Sequence, residues 1–290
     1  MDYIFLIFVF ISIFVMLAAS LDLLAGHTGI LSLAHAAFYG LGAYTSAILA
    51  VTWGMHFLVG FLAGILVAAF FSLLISFPSL RLRDDYFVIA TFGFQVIMVN
   101  LFNNLGSLTG GPRGISAIPR PTLMWWEIDT NAEFALLTGS IAALAYLIVY
   151  LISTSSIGRV LRAIREDEIF AQSLGKHTFK FKLIAFGVSS SLAALAGSLY
   201  AHFITHIEPV NFTITESVLV ISMIIIGGAG STWGPLVGAT SLIVLPEILR
   251  FLGLPVTDMA NIRQLLYGAL LVLMMMMRPQ GLIGRYGFER

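Results

Sequence analysis

Residues 56–79 read HFLVGFLAGILVAAFFSLLISFPS, a stretch without a single Asp, Glu, Lys or Arg. An α-helix rises about 1.5 Å per residue, so about 20 apolar residues cross a hydrocarbon core about 30 Å thick. This stretch is long enough to span a bilayer. Working outward from it, similar windows lie near 3–22, 30–52, 86–104, 134–153, 183–204, 213–230, 234–252 and 261–277. Gly227-Gly228-Ala229-Gly230 and Gly234-Pro235 cut the pair at 213–252, which reads as two spans or as one span plus a re-entrant piece. The expectation is an all-α polytopic membrane protein. It has eight or nine transmembrane helices, some interrupted by glycine, in a single transmembrane domain over 1–290.

Composition agrees. Of the 290 residues 59% are hydrophobic and 10% charged, where a soluble domain carries about 25% charged residues. Net charge is zero, which gives no field for nucleic acid. There is no cysteine, so disulfides and cysteine-ligated metals are excluded. The apolar N-terminal run follows Met1 and Asp2. With no basic n-region and more than the usual run of about 7–15 apolar residues, it reads as a first span, not as a cleaved signal.

Lys and Arg set the orientation. Arg159, Arg162, Arg165, Lys176, Lys180 and Lys182 crowd the segment 154–182, Arg81 and Arg83 precede the fourth window, and Arg278, Arg285 and Arg290 follow the last. Putting these inside makes 154–182 a cytoplasmic loop and 105–133 an outer loop, with Arg113, Arg120, Arg250 and Arg263 left outside. Trp125-Trp126 in the outer loop mark the headgroup interface. Gly26-His27-Thr28-Gly29 before the second span, together with Gly40 and Gly42 inside it, matches the later break at Gly227, Gly228 and Gly230. Paired interruptions suggest an inverted repeat with the pathway between its halves. Close packing by small residues is a compatible reading.

Polar residues in apolar windows are few. Asp22 ends the first window, where the interface can solvate it. For His35 a hydrogen bond to a freed backbone carbonyl is preferred to substrate contact. Thr91 and Gln95 face one side of the fourth span, with Asn100 beyond them, either to bond across helices or to line the pathway. Glu216 lies near the outer end of its window, and Glu247 and Arg250 are spaced to pair. His202, His206 and Glu208 offer an i, i+4 histidine pair, but no metal motif surrounds them and no metal site is expected. No carboxylate chain crosses the membrane, which argues against a proton-driven secondary transporter. No Gly-x-x-x-x-Gly-Lys-Ser/Thr loop occurs, so the chain is not expected to bind ATP, nor to hold catalytic residues or a cofactor.

The segment 155–176 opens with serines that cap a helix and runs to a glycine that ends one. Read as one helix, it sets Glu168, Ala171 and Gly175 on a small-residue face that fits a cleft in another protein. The plainer reading is an amphipathic linker touching anionic lipid.

The spacing Glu168-x-x-Ala171-x-x-x-Gly175 resembles the coupling segment of ABC importer permeases, with Ile169 where an alanine is usual. Further stretches resemble the branched-chain amino acid permeases of the LivM type. They are GHTGILSLAHAAFYGLGAY (26–44), RLRDDYF (81–87), TGGPRGI (109–115), LRAIREDE (161–168), GGAGSTWGP (227–235) and RPQGL (278–282). They cover nearly the whole chain in order; Ala34 and Asp84 depart from the glycines common at those positions. The resemblance implies an ABC importer permease fold in the bacterial inner membrane. It implies coupling to an ATPase through Arg165, Glu166, Asp167, Glu168, Ala171 and Gly175. The glycine interruptions and the polar residues of the apolar windows give His35, Gly40, Gly42, Thr91, Gln95, Asn100, Gly227, Gly228 and Gly230 as candidates for a pathway or gate. The implied partners are two ATPase subunits carrying ATP and Mg²⁺, a second permease subunit and a periplasmic binding protein. The implied substrates are leucine, isoleucine and valine. Urea or short amides are the alternative, and a secondary transporter or channel a more distant one.

Overall fold

Backbone amides in hydrocarbon have no water to bond, so the chain closes its hydrogen bonds within helices. The structure, a computed structural model, describes residues 2–82, 84–123, 126–251, 259–278 and 280–284. Six helices are long and apolar enough to cross a membrane: α1 (Asp2–Thr28), α2 (His35–Trp53), α3 (Phe57–Ser79), α4 (Asp84–Asn104), α6 (Asn131–Thr154) and α9 (Thr178–Ile204). A single turn, α5 (Gly106–Thr109), follows α4, and α7 (Ser156–Glu166) and α8 (Glu168–Ser173) lie between α6 and α9. Then come α10 (Ile214–Gly227), α11 (Gly234–Phe251) and α12 (Met259–Met277), whose apolar stretches are shorter. At 14 residues, α10 is about 21 Å long and does not cross a bilayer alone. The window 213–252 is thus a short helix, a glycine loop and a second helix.

Helix α6 begins on a capping box. Thr130 Oγ1 accepts from Glu133 N–H at 3.2 Å and the Glu133 carboxylate accepts from Thr130 N–H at 3.2 Å, which satisfies two end donors at once.

The helices divide into an inner set and an outer set. Two thirds of the spanning window of α2 is buried (67%), against 22% in α3. Helices α1, α2 and α9 form the interior, while α3 exposes Leu62, Leu66 and Phe70. Such a face would be anomalous in water and is the expected one against lipid. Helix α2 lies hard against α9: a Cβ at Gly42 would overlap the Ala194 carbonyl, and one at Gly197 the Tyr39 carbonyl. These glycines let two backbones touch.

The two ends of the bundle differ in charge. The Arg81 guanidinium lies 4.7 Å from the Phe77 ring centroid and 5.8 Å from that of Phe179, so the turn after α3 shares a face with the start of α9. Leu282 N–H and Ile283 N–H donate to the carbonyls of Ile226 and Gly227 (2.8 and 3.1 Å), bringing the segment after Arg278 to the same end. On the opposite face β1 (Ile115–Ser116) pairs antiparallel with β4 (His206–Ile207), and β2 (Thr122–Leu123) with β3 (Trp126–Glu127). Loop 105–130 is therefore pinned to the connection between α9 and α10. The described basic residues group as expected. Arg83, Trp125, Pro279, Arg285 and Arg290, and the side chains of Trp126, Arg250 and Arg263, lie outside the described residues.

Two expectations are corrected. Residues 155–176 are not one helix: Asp167 takes an extended conformation and caps α8, its Oδ1 accepting from Phe170 N–H at 2.9 Å. Ala171 turns inward while Gly175 is exposed at φ 77°, so Glu168, Ala171 and Gly175 do not share a face. Asp22 is not solvated at a helix end, because α1 runs on to Thr28 and buries it.

Candidate functional site

Helices start or stop inside the protein in two places. At the first, the chain leaves α1 at Thr28, turns at Gly29 (φ 77°), and restarts a helix at His35. His35 Nε2 lies 3.1 Å from the Leu17 carbonyl and 2.9 Å from Ser20 Oγ. Leu17 is about 16 Å up α1 from Thr28, so α2 begins well within the membrane. Its first-turn N–H groups need partners there. Leu33 N–H donates to Thr91 Oγ1 (3.2 Å), Ala36 N–H to Ser217 Oγ (2.9 Å) and Ala37 N–H to Gln95 Oε1 (2.7 Å). Gln95 Nε2 in turn donates to the Phe212 carbonyl at 2.6 Å, at the end of the turn that leads into α10. One amide thus ties the starts of α2 and α10 together. All these side chains are buried.

Thr91 and Gln95 face one side, as expected, and bond across elements. His35 bonds a carbonyl, as expected, although that carbonyl belongs to an unbroken helix. Asn100 is elsewhere: exposed, it donates to Val96 O of its own helix at 2.9 Å. Ser217 was not singled out from sequence, because a serine in an apolar helix carries no sign of its distant partner.

The second place lies at the basic face. Asp22 Oδ1 accepts from Gly230 N–H at 2.8 Å, His27 Nδ1 lies 3.5 Å from Asp22 Oδ2, and Arg165 Nη1 donates to the Gly26 carbonyl. A Cβ at Gly230, whose φ is 74°, would lie 2.7 Å from both Arg165 Nη1 and the Gly26 carbonyl. A Cβ at Gly26 would overlap Asp22 Oδ1 and Gly230 N. The two glycine interruptions seen in sequence meet here, with α7 clamped over them. Gly227 and Gly228 pack against the segment around Gln280 and Gly284. Gly40 and Gly42 lie elsewhere, Gly40 against Phe102 and Phe212 and Gly42 against α9.

From this joint the chain passes through α7 to α8. Lys182 Nζ, near the start of α9 and buried, holds Glu168 Oε2 at 2.6 Å. Gln172 Nε2 donates to Thr178 Oγ1 at 3.0 Å, and Ala171 packs beneath. Fixed in this way, α8 and the turn after it project Ile169, Phe170 and Leu174 outward, at 78%, 61% and 63% exposure. Glu166, Asp167 and Gly175 are exposed around them. The arrangement is an apolar knob on a basic surface.

The histidine pair diverges. His202 lies 2.8 Å from Ser46 Oγ and 2.7 Å from the Pro119 carbonyl, whereas His206 bonds Ser116 (2.9 Å) and Glu208 (2.8 Å). Glu247 accepts from Tyr3 Oη.

The family described as "Branched-chain amino acid transport system / permease component" matches residues 3–275. The chain is 35% identical over 295 residues to the high-affinity branched-chain amino acid transport system permease protein LivM of Salmonella typhimurium, covering 93% of this chain and 68% of that protein. It is equally similar to the protein of the same name in Escherichia coli. It is 25% identical over 299 residues to the Salmonella typhimurium permease protein LivH, covering 96% of this chain and 94% of that one. No solved structure matches the chain significantly.

Proposed function

The chain belongs to the family of branched-chain amino acid transport system permease components, and from this premise we propose that it is the translocating subunit of an ATP-driven importer for leucine, isoleucine and valine in a bacterial inner membrane. A binding protein delivers substrate to the face formed by loop 105–130. ATP and Mg²⁺ stay on two separate ATPase subunits at the basic, cytoplasmic face, and a second permease subunit completes the pathway.

The observation that carries this reading is the connection from the apolar knob to the glycine joint. Ile169 and Phe170 on a short helix, and Leu174 in the turn after it, are exposed and held by the Lys182–Glu168 pair, and α7 links that helix to Gly26 and Gly230 through Arg165. A motor gripping the knob moves α7, and α7 moves the point at which α1 turns toward α2 and at which α10 hands over to α11. Alternating access follows if those turns tilt the inner helices. The chain contributes geometry and the ATPase the free energy.

The test is uptake of labelled leucine, urea and acetamide by cells lacking the chain, complemented with wild type or with Glu168→Arg. Wild type restores leucine uptake. Glu168→Arg sets a cation beside the buried Lys182 and removes its partner, so the chain inserts but leucine uptake falls by about tenfold or more, since each 1.4 kcal/mol of lost docking is tenfold. Unchanged uptake by that variant would rule out this coupling route, and wild-type uptake that persists without any ATPase would point to a secondary transporter.

A further inference from the structure

Between α1, α2, α10, α11 and α12 lies a cavity of about 790 Å³. It is separate from the glycine joint and has a distinct chemical character. Its walls are mainly apolar, with Phe10, Leu219 and Ile243 among them, and its polar lining includes Tyr39, Asn211, Thr215, Glu216 and also Glu247, whose carboxylate already accepts from Tyr3 Oη. Glu216, on the first turn of α10, has no ion-pair partner among the described residues. Tyr39, 2% exposed, has a buried hydroxyl with no hydrogen-bond partner. Asn211 and Thr215 flank the start of α10. Glu216, Tyr39 and Tyr200 line the same cavity. No Lys, Arg or His is among the described lining residues.

A buried hydroxyl without a partner calls for an explanation, and a carboxylate in an apolar cavity calls for a cation. Both are met by one ligand group, a primary ammonium, which donates to the carboxylate and to the tyrosine oxygen together. A helix start favours negative charge, so a carboxylate on the same ligand fits beside Thr215 and Asn211. The remaining wall accepts a hydrocarbon. We propose that this cavity is the membrane-embedded site for the transported amino acid, its ammonium on Glu216 and Tyr39 Oη and its aliphatic side chain against Phe10, Leu219 and Ile243. This rests on the substrate class proposed above and adds the place and the polar contacts.

The chain has no cysteine, so Val218→Cys on the cavity wall gives a single reporter thiol in this chain, labelled in membranes containing the assembled transporter, with labelling read on the chain itself after separation from its partners and corrected with the cysteine-free wild type. The thiol's reaction with 2-aminoethyl methanethiosulfonate, a cation, is compared with that of the 2-sulfonatoethyl reagent, an anion, each relative to a free thiol in solution. The cation is expected to be favoured by about tenfold or more, and adding Glu216→Gln is expected to remove most of that preference. Leucine slows the labelling and 4-methylpentanoate, which lacks the ammonium, does not. A preference indifferent to Glu216→Gln, or equal protection by both compounds, overturns the assignment. Uptake separates the two levels of the argument. If wild type imports leucine and Glu216→Gln imports it equally well, the cavity assignment falls and the proposed function stands. If wild type imports no leucine and leucine gives no protection, both fall. Recovery of uptake in Glu216→Asp but not Glu216→Gln, at equal membrane content, supports the carboxylate's role.

Discussion

The junction at the start of α2 and the joint at the basic face solve the same problem with different chemistry. In both, helices stop, and backbone groups that would be unpaired in lipid must find partners. Deep in the bundle the partners are neutral: Thr91, Gln95 and Ser217. At the basic face they are charged: Asp22 takes the Gly230 amide and Arg165 the Gly26 carbonyl. A charge at the centre of a bilayer costs about 2.5–3.5 kcal/mol on insertion scales, whereas a hydroxyl or amide that finds a partner across helices costs little and returns about 0.6 kcal/mol on average. Depth decides the residue type. The neutral junction joins membrane-buried helix starts, and the charged joint lies against α7 through Arg165.

The largest effect is expected where the joint has no room at all. In Gly26→Val the side chain meets Asp22 Oδ1 and Gly230 N together, and backbone cannot swing aside as a flexible side chain does. Clamp and loop must separate, so the variant is expected to lose nearly all uptake and most of its monodisperse material in detergent, as measured by size-exclusion chromatography. A valine tolerated here would mean the joint is open in the working protein, and the contrast with the packed junction would disappear.

Next comes Gln95→Leu at the junction. Leucine fills similar volume but leaves the Phe212 carbonyl unpaired and takes from the Ala37 amide one of its two acceptors, the Ala34 carbonyl at 3.0 Å remaining; a buried group left without a partner costs about 1–3 kcal/mol. A loss of about 2 kcal/mol is expected, read as a lower thermal midpoint. Asn100→Leu, one helical face away and exposed, is expected to stay within about 0.5 kcal/mol of wild type. Equal losses in the two would show that polarity of α4, and not this bond pair, is what matters.

The bundle was readable from sequence because its signals are local. A stretch such as 56–79 declares a span by length alone, and basic residues sort the ends. Thr91 and Gln95 were legible as a pair because four residues return to the same helix face, but their partners, Leu33, Ala37 and Phe212, were not, since nothing local encodes a contact 58 or 117 positions away. The break at Asp167 was missed for another reason. Periodic apolar residues on both sides argued for one helix, and no glycine or proline intervened. The signal present was an aspartate whose side chain can cap a new helix, and it competed with periodicity and won. Asp22 was misplaced because the apolar window ends there, while the helix continues as far as its contacts with the glycine loop require.

The smallest effect expected at either break is the most discriminating. Asp22→Asn keeps an oxygen for the Gly230 amide and changes only charge. If the joint is a hydrogen bond that happens to use a carboxylate, little is lost. If the charge matters, through the bond to Gly230 and the approach of His27 at 3.5 Å, the loss is the difference between a charge-assisted and a neutral bond, about 1 kcal/mol. Asp22→Ala, which leaves the amide with nothing, should exceed it by about 1–2 kcal/mol. Thermal midpoints of the three proteins in one detergent check the order. An asparagine as damaging as alanine would mean that the carboxylate's charge outweighs its geometry even near the membrane edge. A harmless asparagine would make the two breaks alike in kind, each held by oriented dipoles, with the Arg165 guanidinium on the Gly26 carbonyl as the charged contact that still sets the joint apart.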